Sequence, residues 1–327
     1  MPIQAFLYIV FHMSAPGLIH AFLRTDVGRV RTHNEDFVIY REPVDANDEA
    51  QNGWLYIVAD GVGGADAGEV ASQFASERTL EHYLNTSDNP NWGQRLVDAM
   101  QAANTDLRQM VAERDGNSHM ATTMVAVVFK GAQAYLANVG DSRGYLWRDG
   151  RIQQITKDQS LVAKLLEEGA ITAEEAEFHP RRNVILYSLG SERSPKIDLF
   201  EQTMQPGDII LLCSDGLTRH VTNDELSQMI AAADPAQATQ DLIELANSRG
   251  GQDNISAAIL RYEGTATDSA QAQATRPVPT SATPKAATTA VIQPAIRHQP
   301  KSLWGLTIAL SIIQTLLIIS LWAWLFT

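Results

Sequence analysis

Two short apolar segments each lead into an aspartate, and this pattern restricts the fold more than any other feature of the chain. Residues 54–58 lead to Asp60, and residues 209–213 lead to Asp215. Runs of β-branched, aromatic and aliphatic residues bounded by turn residues are typical of strands. Each strand therefore carries a carboxylate to the edge of a sheet.

Strand patterns alternate with longer helical patterns between about Ile19 and Tyr262. Further strands are predicted at 123–129 and 134–139, and residues 145–147 before Asp149-Gly150 are typical of a hairpin. Apolar spacing predicts helices over 68–84, 92–114, 161–168, 224–232 and 235–247. Hairpin pairs favour antiparallel sheets with helices outside them.

The net charge of the chain indicates which binding partners are not expected. The chain carries −13, and the four charged residues after Asp268 are all cations, so residues 1–275 carry −17. Such an acidic protein is not expected to bind nucleic acid, because that binding depends on Lys and Arg neutralising phosphates. A solvated acidic surface and a site for hard cations both remain open.

Composition divides the chain into four segments. Residues 1–18 form an N-terminal extension that lacks the basic region of a secretory signal, and Met13 is an alternative start. Residues 19–263 form the folded domain. Residues 264–302 are rich in Ala, Thr and Pro and have no aromatic side chain, which predicts a disordered linker.

Residues 303–327 predict a transmembrane helix. They contain no charged residue, and their length suffices for a hydrocarbon core about 30 Å thick. Arg297, His298 and Lys301 precede them, and positive charge is enriched on the cytoplasmic side of membrane spans. The expected location is the cell inner membrane, with a single span and a cytoplasmic folded domain.

Four acidic segments fall at predicted strand ends or turns: 31–36, 60–64, 214–217 and 251–254. Each alone is equally typical of turn chemistry. Together, converging carboxylates would repel one another unless they are protonated or bound to metal, and oxygen ligands select hard cations such as Mg²⁺ or Mn²⁺. The one cysteine, Cys213, lies in an apolar run and is expected to be a buried structural thiol.

Seven motifs follow one another along the chain: Thr25-Asp26-Val27-Gly28 with Arg31 and Asn34-Glu35-Asp36; Asp60-Gly61-Val62-Gly63-Gly64; Ala121-Thr122-Thr123; Asn138-Val139-Gly140-Asp141-Ser142-Arg143; Thr156-Lys157-Asp158-Gln159-Ser160; Ser214-Asp215-Gly216-Leu217; and Asp253-Asn254. In this order they resemble the protein phosphatase 2C family of metal-dependent Ser/Thr phosphatases, especially its bacterial branch. The resemblance covers roughly Ala21 to Tyr262.

The resemblance implies an α+β fold, a four-layer α/β/β/α sandwich of two antiparallel sheets flanked by helices. It implies phosphorylated proteins as substrates and hydrolysis of phosphoserine and phosphothreonine by an activated water. Arg31 would bind the substrate phosphate, and Glu35 would contact a metal-bound water. Two Mn²⁺ or Mg²⁺ ions would be bridged by Asp60 and held by the Gly61 carbonyl and by Asp36, Asp215 and Asp253.

Three departures from the family pattern leave questions open. Val62 stands where many relatives have a histidine proposed as general acid. His33 is a candidate substitute, since two-residue spacing would place it on the same strand face as Arg31, although a solvated histidine is an alternative. A third ion stays open, because Ser118 and Arg219 stand at its ligand positions and cannot ligate, although Asp115 is close by. Ala121 replaces a glycine, which should be tolerated.

Two wider questions concern partners. Residues 161–189 correspond to the family's flap beside the active site, where Arg181 and Arg182 would meet phosphopeptide charge or stay solvated. The membrane segment suggests that the enzyme opposes a cognate Ser/Thr kinase at the membrane. The alternative is a pseudophosphatase that binds metal and acts as a regulatory scaffold.

Overall fold

The structure is a computed structural model that describes residues 19–63, 65–114, 120–232 and 234–264. The predicted N-terminal extension, the linker beyond residue 264 and the predicted transmembrane segment 303–327 lie outside these residues, as do Asp115 and Ser118. Within the described ranges, no helix combines the length and the apolar composition needed to cross a bilayer.

The described residues form antiparallel strands that begin and end close to the predicted positions where a prediction was made. They are β1 (Ile19–Asp26), β2 (Asp36–Arg41), β3 (Trp54–Val62), β4 (Ala121–Lys130), β5 (Gln133–Val139), β6 (Arg143–Arg148), β7 (Arg151–Gln154), β8 (Asp198–Thr203), β9 (Ile209–Cys213) and β10 (Ile255–Tyr262).

The helices confirm the five predicted from apolar spacing and add three short ones. They are α1 (Ala46–Asn52), α2 (Ala65–Asn85), α3 (Trp92–Arg114), α4 (Leu161–Glu167), α5 (Ala173–Glu177), α6 (Asp215–Thr218), α7 (Asn223–Ala232) and α8 (Pro235–Ser248). The second helix begins at residue 65, three residues earlier than predicted.

The strands build two five-stranded sheets. One has the order β1-β10-β9-β6-β7 and the other β2-β3-β4-β5-β8. Neighbouring strands pair antiparallel throughout both sheets. The predicted antiparallel arrangement is confirmed.

Three apolar layers hold the architecture together. One contains side chains from both sheets, such as Val58, Val127 and Leu212, and therefore lies between them. The second packs β3, β4 and β5 against α2 and α3. The third packs β9 and β10 against α7 and α8. Three layers of core separate four layers of structure, which confirms the predicted α/β/β/α sandwich.

Strand β3 shows why the central strands are apolar throughout. Trp54, Tyr56 and Val58 face the core between the sheets, whereas Leu55 and Ile57 alternate with them and face the helical layer. Side chains alternate across a strand, so burial of both faces requires an uninterrupted apolar run. The apolar run ends at Ala59, directly before Asp60.

The turn between β6 and β7 follows from its two residues. Asp149 has φ 49° and Gly150 has φ 79°. Two positive φ values in a two-residue loop are required by the type I′ turn, whose twist matches that of the strands, and Asp-Gly is a preferred pair for it. The hairpin predicted there is confirmed.

A fully buried arginine joins the helical layer to the start of β3. The Arg95 side chain donates to the carbonyls of Tyr83 (2.7 Å) and Gln51 (2.8 Å) and to Asn52 Oδ1 (2.7 Å). Its guanidinium carbon also lies 3.8 Å from the centroid of the Tyr83 ring. These hydrogen bonds fix α3 against the ends of α1 and α2.

Replacing Arg95 should therefore destabilise the fold. Arg95→Ala removes three hydrogen bonds from a buried site, so we expect a loss of about 2–4 kcal/mol in the free energy of unfolding. The measurement is urea denaturation followed by tryptophan fluorescence. The control is Arg249→Ala, which removes an exposed guanidinium paired with Glu225 and should leave the midpoint close to wild type. Equal midpoints for Arg95→Ala and wild type would contradict the assignment.

Candidate metal centre

Four predicted aspartates meet at one end of the sandwich. Asp36 begins β2 and lies directly opposite Asp60 of β3 in one sheet. Asp215 follows β9 and Asp253 precedes β10, and these strands are neighbours in the other sheet. Repulsion from Asp215 and Asp253 contributes to the raised pKa values of Asp36 and Asp60. The pair from one sheet therefore lies close to the pair from the other.

Two of these carboxylates, Asp36 and Asp215, have a buried oxygen with no hydrogen-bond partner, which is Oδ1 in each case. The Oδ1 atom of Asp141, which follows β5, has no partner either. Asp36 is only 5% exposed, and its other oxygen accepts from the Ser214 hydroxyl at 2.7 Å. Buried carboxylate oxygens normally have a partner, because desolvation without one is costly. This arrangement fits oxygen atoms that serve as ligands for cations.

Burial and mutual repulsion raise the pKa values of the cluster. Burial raises the pKa of Asp36 to about 7, although the Ser214 hydroxyl opposes the shift. Burial also raises the pKa of Asp60 well above its usual value, and repulsion from Asp36 and Asp215 adds to it. A divalent cation among these groups would reverse the balance by stabilising the ionised carboxylates.

Arg31 lies beside the acidic cluster. Its guanidinium is 2.9 Å from Asp253 Oδ1 and 3.9 Å from Glu35 Oε2. The side chain is 45% exposed and faces solvent as well as the carboxylates. Glu35 is buried, and burial raises its pKa, with Arg31 acting in the opposite direction.

Gly61 allows two backbones to meet at the centre. A Cβ at this position would lie 2.2 Å from the Gly68 carbonyl oxygen and 2.7 Å from the Glu35 carbonyl oxygen. The Gly61 amide donates to that same Glu35 oxygen at 3.0 Å, and Ser72 Oγ donates to it at 2.6 Å. Glycine is therefore required where β3, α2 and the start of β2 come together.

Hydrogen bonds from the threonine and Gly-Asp-Ser motifs hold the backbone that carries Asp60 and Asp141. Thr122 Oγ1 donates to the Asp60 carbonyl at 2.9 Å. Thr123 Oγ1 and Ser142 Oγ are 2.7 Å apart. These contacts fix the end of β3 and the loop that carries Asp141, so the motifs position carboxylates.

Asn254 holds the loop between β1 and β2 in place. Its Oδ1 accepts from the Glu35 amide at 2.8 Å, and its Nδ2 donates to the carbonyls of Val27 (3.0 Å) and His33 (2.9 Å). The side chain is buried. One amide group therefore ties the Asp253 segment to the loop that carries Arg31, Glu35 and Asp36.

The structure corrects the expectation for His33. Residues 31–35 form part of the loop between β1 and β2, so strand periodicity does not relate His33 to Arg31. The His33 carbonyl is held by Asn254, while the residue itself is exposed. The spacing argument for a general acid at this position was wrong.

Asp141 belongs to the cluster but was not predicted as a site residue. It is 8% exposed, burial raises its pKa to about 7, and repulsion from Asp215 adds to the shift. It follows β5 as Asp215 follows β9. The sequence signal that identified Asp60 and Asp215, an aspartate just after an apolar strand, also marks this residue.

Two predicted ligands are paired with arginines. Asp253 pairs with Arg31, and Asp215 pairs with Arg219. Within the ranges that the structure describes, no three acidic, histidine or cysteine side chains lie in an arrangement able to hold a metal ion as they stand. The donor set fits hard cations: Asp215 Oδ1 has no partner, whereas Asp215 Oδ2 and both oxygens of Asp253 face arginines.

A cavity of about 560 Å³ opens beside the cluster. Its wall includes Arg182 of the flap, whereas Arg181, the other flap arginine considered above, is not part of it. The flap is attached next to the centre, since the Leu186 amide donates to the Gln159 carbonyl at 2.7 Å. The charged residues that line the cavity are Asp141, Arg143, Asp158, Glu177, Arg182, Asp215, Arg219 and Arg249.

Known proteins are similar to this chain in sequence and in fold. Residues 40–258 match the family described as Protein phosphatase 2C. The serine/threonine phosphatase stp of Listeria innocua is 37% identical over 249 residues, which cover 74% of this chain and 95% of that protein. The crystal structure of the Mycobacterium tuberculosis serine/threonine phosphatase PstP/Ppp has 37% identity and a TM-score of 0.66, covering 75% of this chain and 99% of that chain.

A further solved structure contains metal. The catalytic domain of the serine/threonine phosphatase PstP, in complex with two manganese ions, is 36% identical with a TM-score of 0.63, and the match covers 74% of this chain and 97% of that one. The two-sheet sandwich with carboxylates gathered at one end, together with these relatives, supports the class of metal-dependent phosphatases. The chain belongs to the protein phosphatase 2C family and is a protein serine/threonine phosphatase.

Asn254 generates a prediction about metal binding. Asn254→Ala should weaken Mn²⁺ affinity by about 10- to 100-fold, the usual effect of losing a group that orients ligands. The loop with Glu35 and Asp36 would lose three hydrogen bonds. Isothermal titration of the full chain with Mn²⁺ measures the change.

Asn104 offers a matched control outside the site. It also makes three hydrogen bonds, to Gly190, Glu192 and Arg193. Asn104→Ala should lower thermal stability while leaving Mn²⁺ affinity within about twofold of wild type, since no ligand loop depends on it. If both variants weakened Mn²⁺ binding equally, the effect would be one of general stability.

Proposed function

We propose that this phosphatase hydrolyses phosphoserine and phosphothreonine in proteins at a centre for two Mn²⁺ or Mg²⁺ ions. The residues that would hold the ions are Asp36, Asp60, Asp215, Asp253 and the Gly61 carbonyl, with Glu35 beside them. Arg31 binds the phosphate. The observation that carries this assignment is the set of buried carboxylate oxygens without partners, contributed by both sheets at the same end of the sandwich.

The bound ions supply water activation near neutral pH and offset negative charge on the phosphate. The protein's own part is to place the groups around them. Asp36 and Asp60 are fixed by the β2–β3 register, and Ser214 orients Asp36 by its hydrogen bond. Glu35, whose backbone carbonyl accepts from Gly61 and Ser72, would accept a hydrogen bond from water in the centre.

Arg31 is suited to binding a phosphate ester. A guanidinium presents a fork of donors that matches two phosphate oxygens. Its present partner, Asp253, is one of the proposed ligands, so occupation of the centre by cations would free the guanidinium for substrate. Phosphate binding by Arg31 would also stabilise charge in the transition state.

The assignment is tested with Asp60→Asn. This change keeps the shape of the side chain and removes its charge, so we expect kcat/KM to fall by at least about 100-fold, more than for a group outside the ligand set. Hydrolysis of p-nitrophenyl phosphate and of a phosphothreonine peptide is measured with Mn²⁺, with Mg²⁺ and with a chelator. Wild-type activity should require the cation.

The matched control is Asp106→Asn, which makes the same chemical change away from the cluster, where Asp106 pairs with Arg78 and His82. Its activity should stay within about twofold of wild type, because no ligand depends on it. A folded wild-type chain that binds cations but hydrolyses neither substrate would instead support the regulatory scaffold.

We further propose that residues 303–327 anchor the enzyme in the inner membrane, with the catalytic domain in the cytoplasm, where it opposes a Ser/Thr kinase. The support is the length of this uncharged apolar segment and the three basic or histidine residues just before it. A tether raises the local concentration of the phosphatase at membrane-bound phosphoproteins without new contacts.

Truncation tests the anchor. A chain that ends at residue 263 should leave the membrane fraction of cells and dephosphorylate membrane phosphoproteins more slowly, while its purified activity on p-nitrophenyl phosphate stays unchanged. Fractionation and phosphoprotein blotting measure both effects. Unchanged dephosphorylation of membrane targets at equal expression would remove the support for the tether.

A further inference from the structure

Arg219 is bonded to the carboxylates that are proposed to hold metal. It follows α6, four residues after Asp215, and its Nη2 forms an ion pair with Asp215 Oδ2. Its Nη1 lies 3.6 Å from Asp253 Oδ2. One guanidinium therefore faces two proposed ligands from two different segments.

These contacts neutralise charge that would otherwise be uncompensated. Asp215 has its other oxygen buried without a partner, and the Asp253 Oδ1 atom is already paired with Arg31. Arg219 also acts on Asp141, whose pKa it lowers against the effect of burial. In the metal-free protein Arg219 thus supplies positive charge at the place where cations are expected.

We propose that Arg219 competes with the metal: it is the resident counter-cation of Asp215 Oδ2 and Asp253 Oδ2, its withdrawal frees these two oxygens for a cation, and it thereby sets the metal affinity. The inference rests on the ligand set proposed above. A carboxylate oxygen that accepts a charge-assisted hydrogen bond from a guanidinium is not free to donate its electron pair fully to a cation. Stabilising the metal-free state lowers the apparent affinity for the ligand that binds the other state.

The side chain has somewhere to go. Arg219 is 32% exposed and already lines the cavity of about 560 Å³ beside the cluster. A guanidinium that turns toward this space loses the ion pair but regains water, so its withdrawal does not strand a buried charge. Occupation of the centre would therefore exchange one cation for another without leaving either charge unpaired in the interior.

The test compares wild type with single-residue variants in Mn²⁺ titrations by calorimetry, using the full chain at fixed pH. Arg219→Gln should bind Mn²⁺ at least tenfold more tightly than wild type. Arg219→Lys keeps the charge without the fork, so its affinity should fall between those of the other two. A second readout is thermal stability: Arg219→Gln should melt lower without metal, and its melting temperature should rise more when Mn²⁺ is added.

Arg249→Gln is the matched control. Arg249 lines the same cavity, but its partner is Glu225, which is not a ligand. This variant measures how much the loss of any positive charge near an acidic centre raises the affinity for cations. We expect its Mn²⁺ affinity to change by less than twofold. That field effect shrinks as salt rises from 0.15 M to 0.5 M, whereas competition through direct contact persists.

Each outcome decides the matter. Tighter binding by Arg219→Gln alone, retained at high salt, supports competition. Equal gains in Arg219→Gln and Arg249→Gln, or weaker binding by Arg219→Gln, would overturn it and make Arg219 a support for the ligands. Failure of the proposed function is separate, because wild type would then show no Mn²⁺ binding, or binding that Asp60→Asn leaves unchanged.

Discussion

The structure depends on placing several carboxylates in a buried site where they repel one another. Burial raises the pKa values of four aspartates: Asp36, Asp60, Asp141 and Asp215. Repulsion from another aspartate of the cluster raises each of these pKa values further. A folded chain tolerates such a site only if protons, arginines or metal ions reduce the charge. The polar groups around the centre are placed so that this negative charge can be reduced.

The sandwich makes that placement possible because three apolar layers hold the two sheets rigidly. Each sheet contributes a pair of proposed ligands, so the distance between the pairs is set by the core between the sheets. Local contacts then complete the positioning: Ser214 orients Asp36, and Asn254 fixes the loop that leads to β2. A site built on strand ends varies less than one built only on flexible loops.

Arginines balance the charge of the acidic cluster. Arg31 pairs with Asp253, and Arg219 pairs with both Asp215 and Asp253. Arg31 comes from the loop before β2, whereas Arg219 comes from the segment after β9 and borders the cavity. Cation binding and substrate binding would therefore be linked, since both would draw on the same ion pairs.

The sequence by itself determined the local elements and the order of the motifs. The apolar run of β3, the long helix 92–114 and the Asp149-Gly150 turn are each specified by neighbouring residues, through side-chain periodicity and backbone preference. The tertiary structure alone decided that residues 31–35 form a loop, that aspartates from both sheets meet in one cluster and that Arg219 pairs with two proposed ligands. These facts depend on contacts between segments far apart in the chain, which no local pattern encodes.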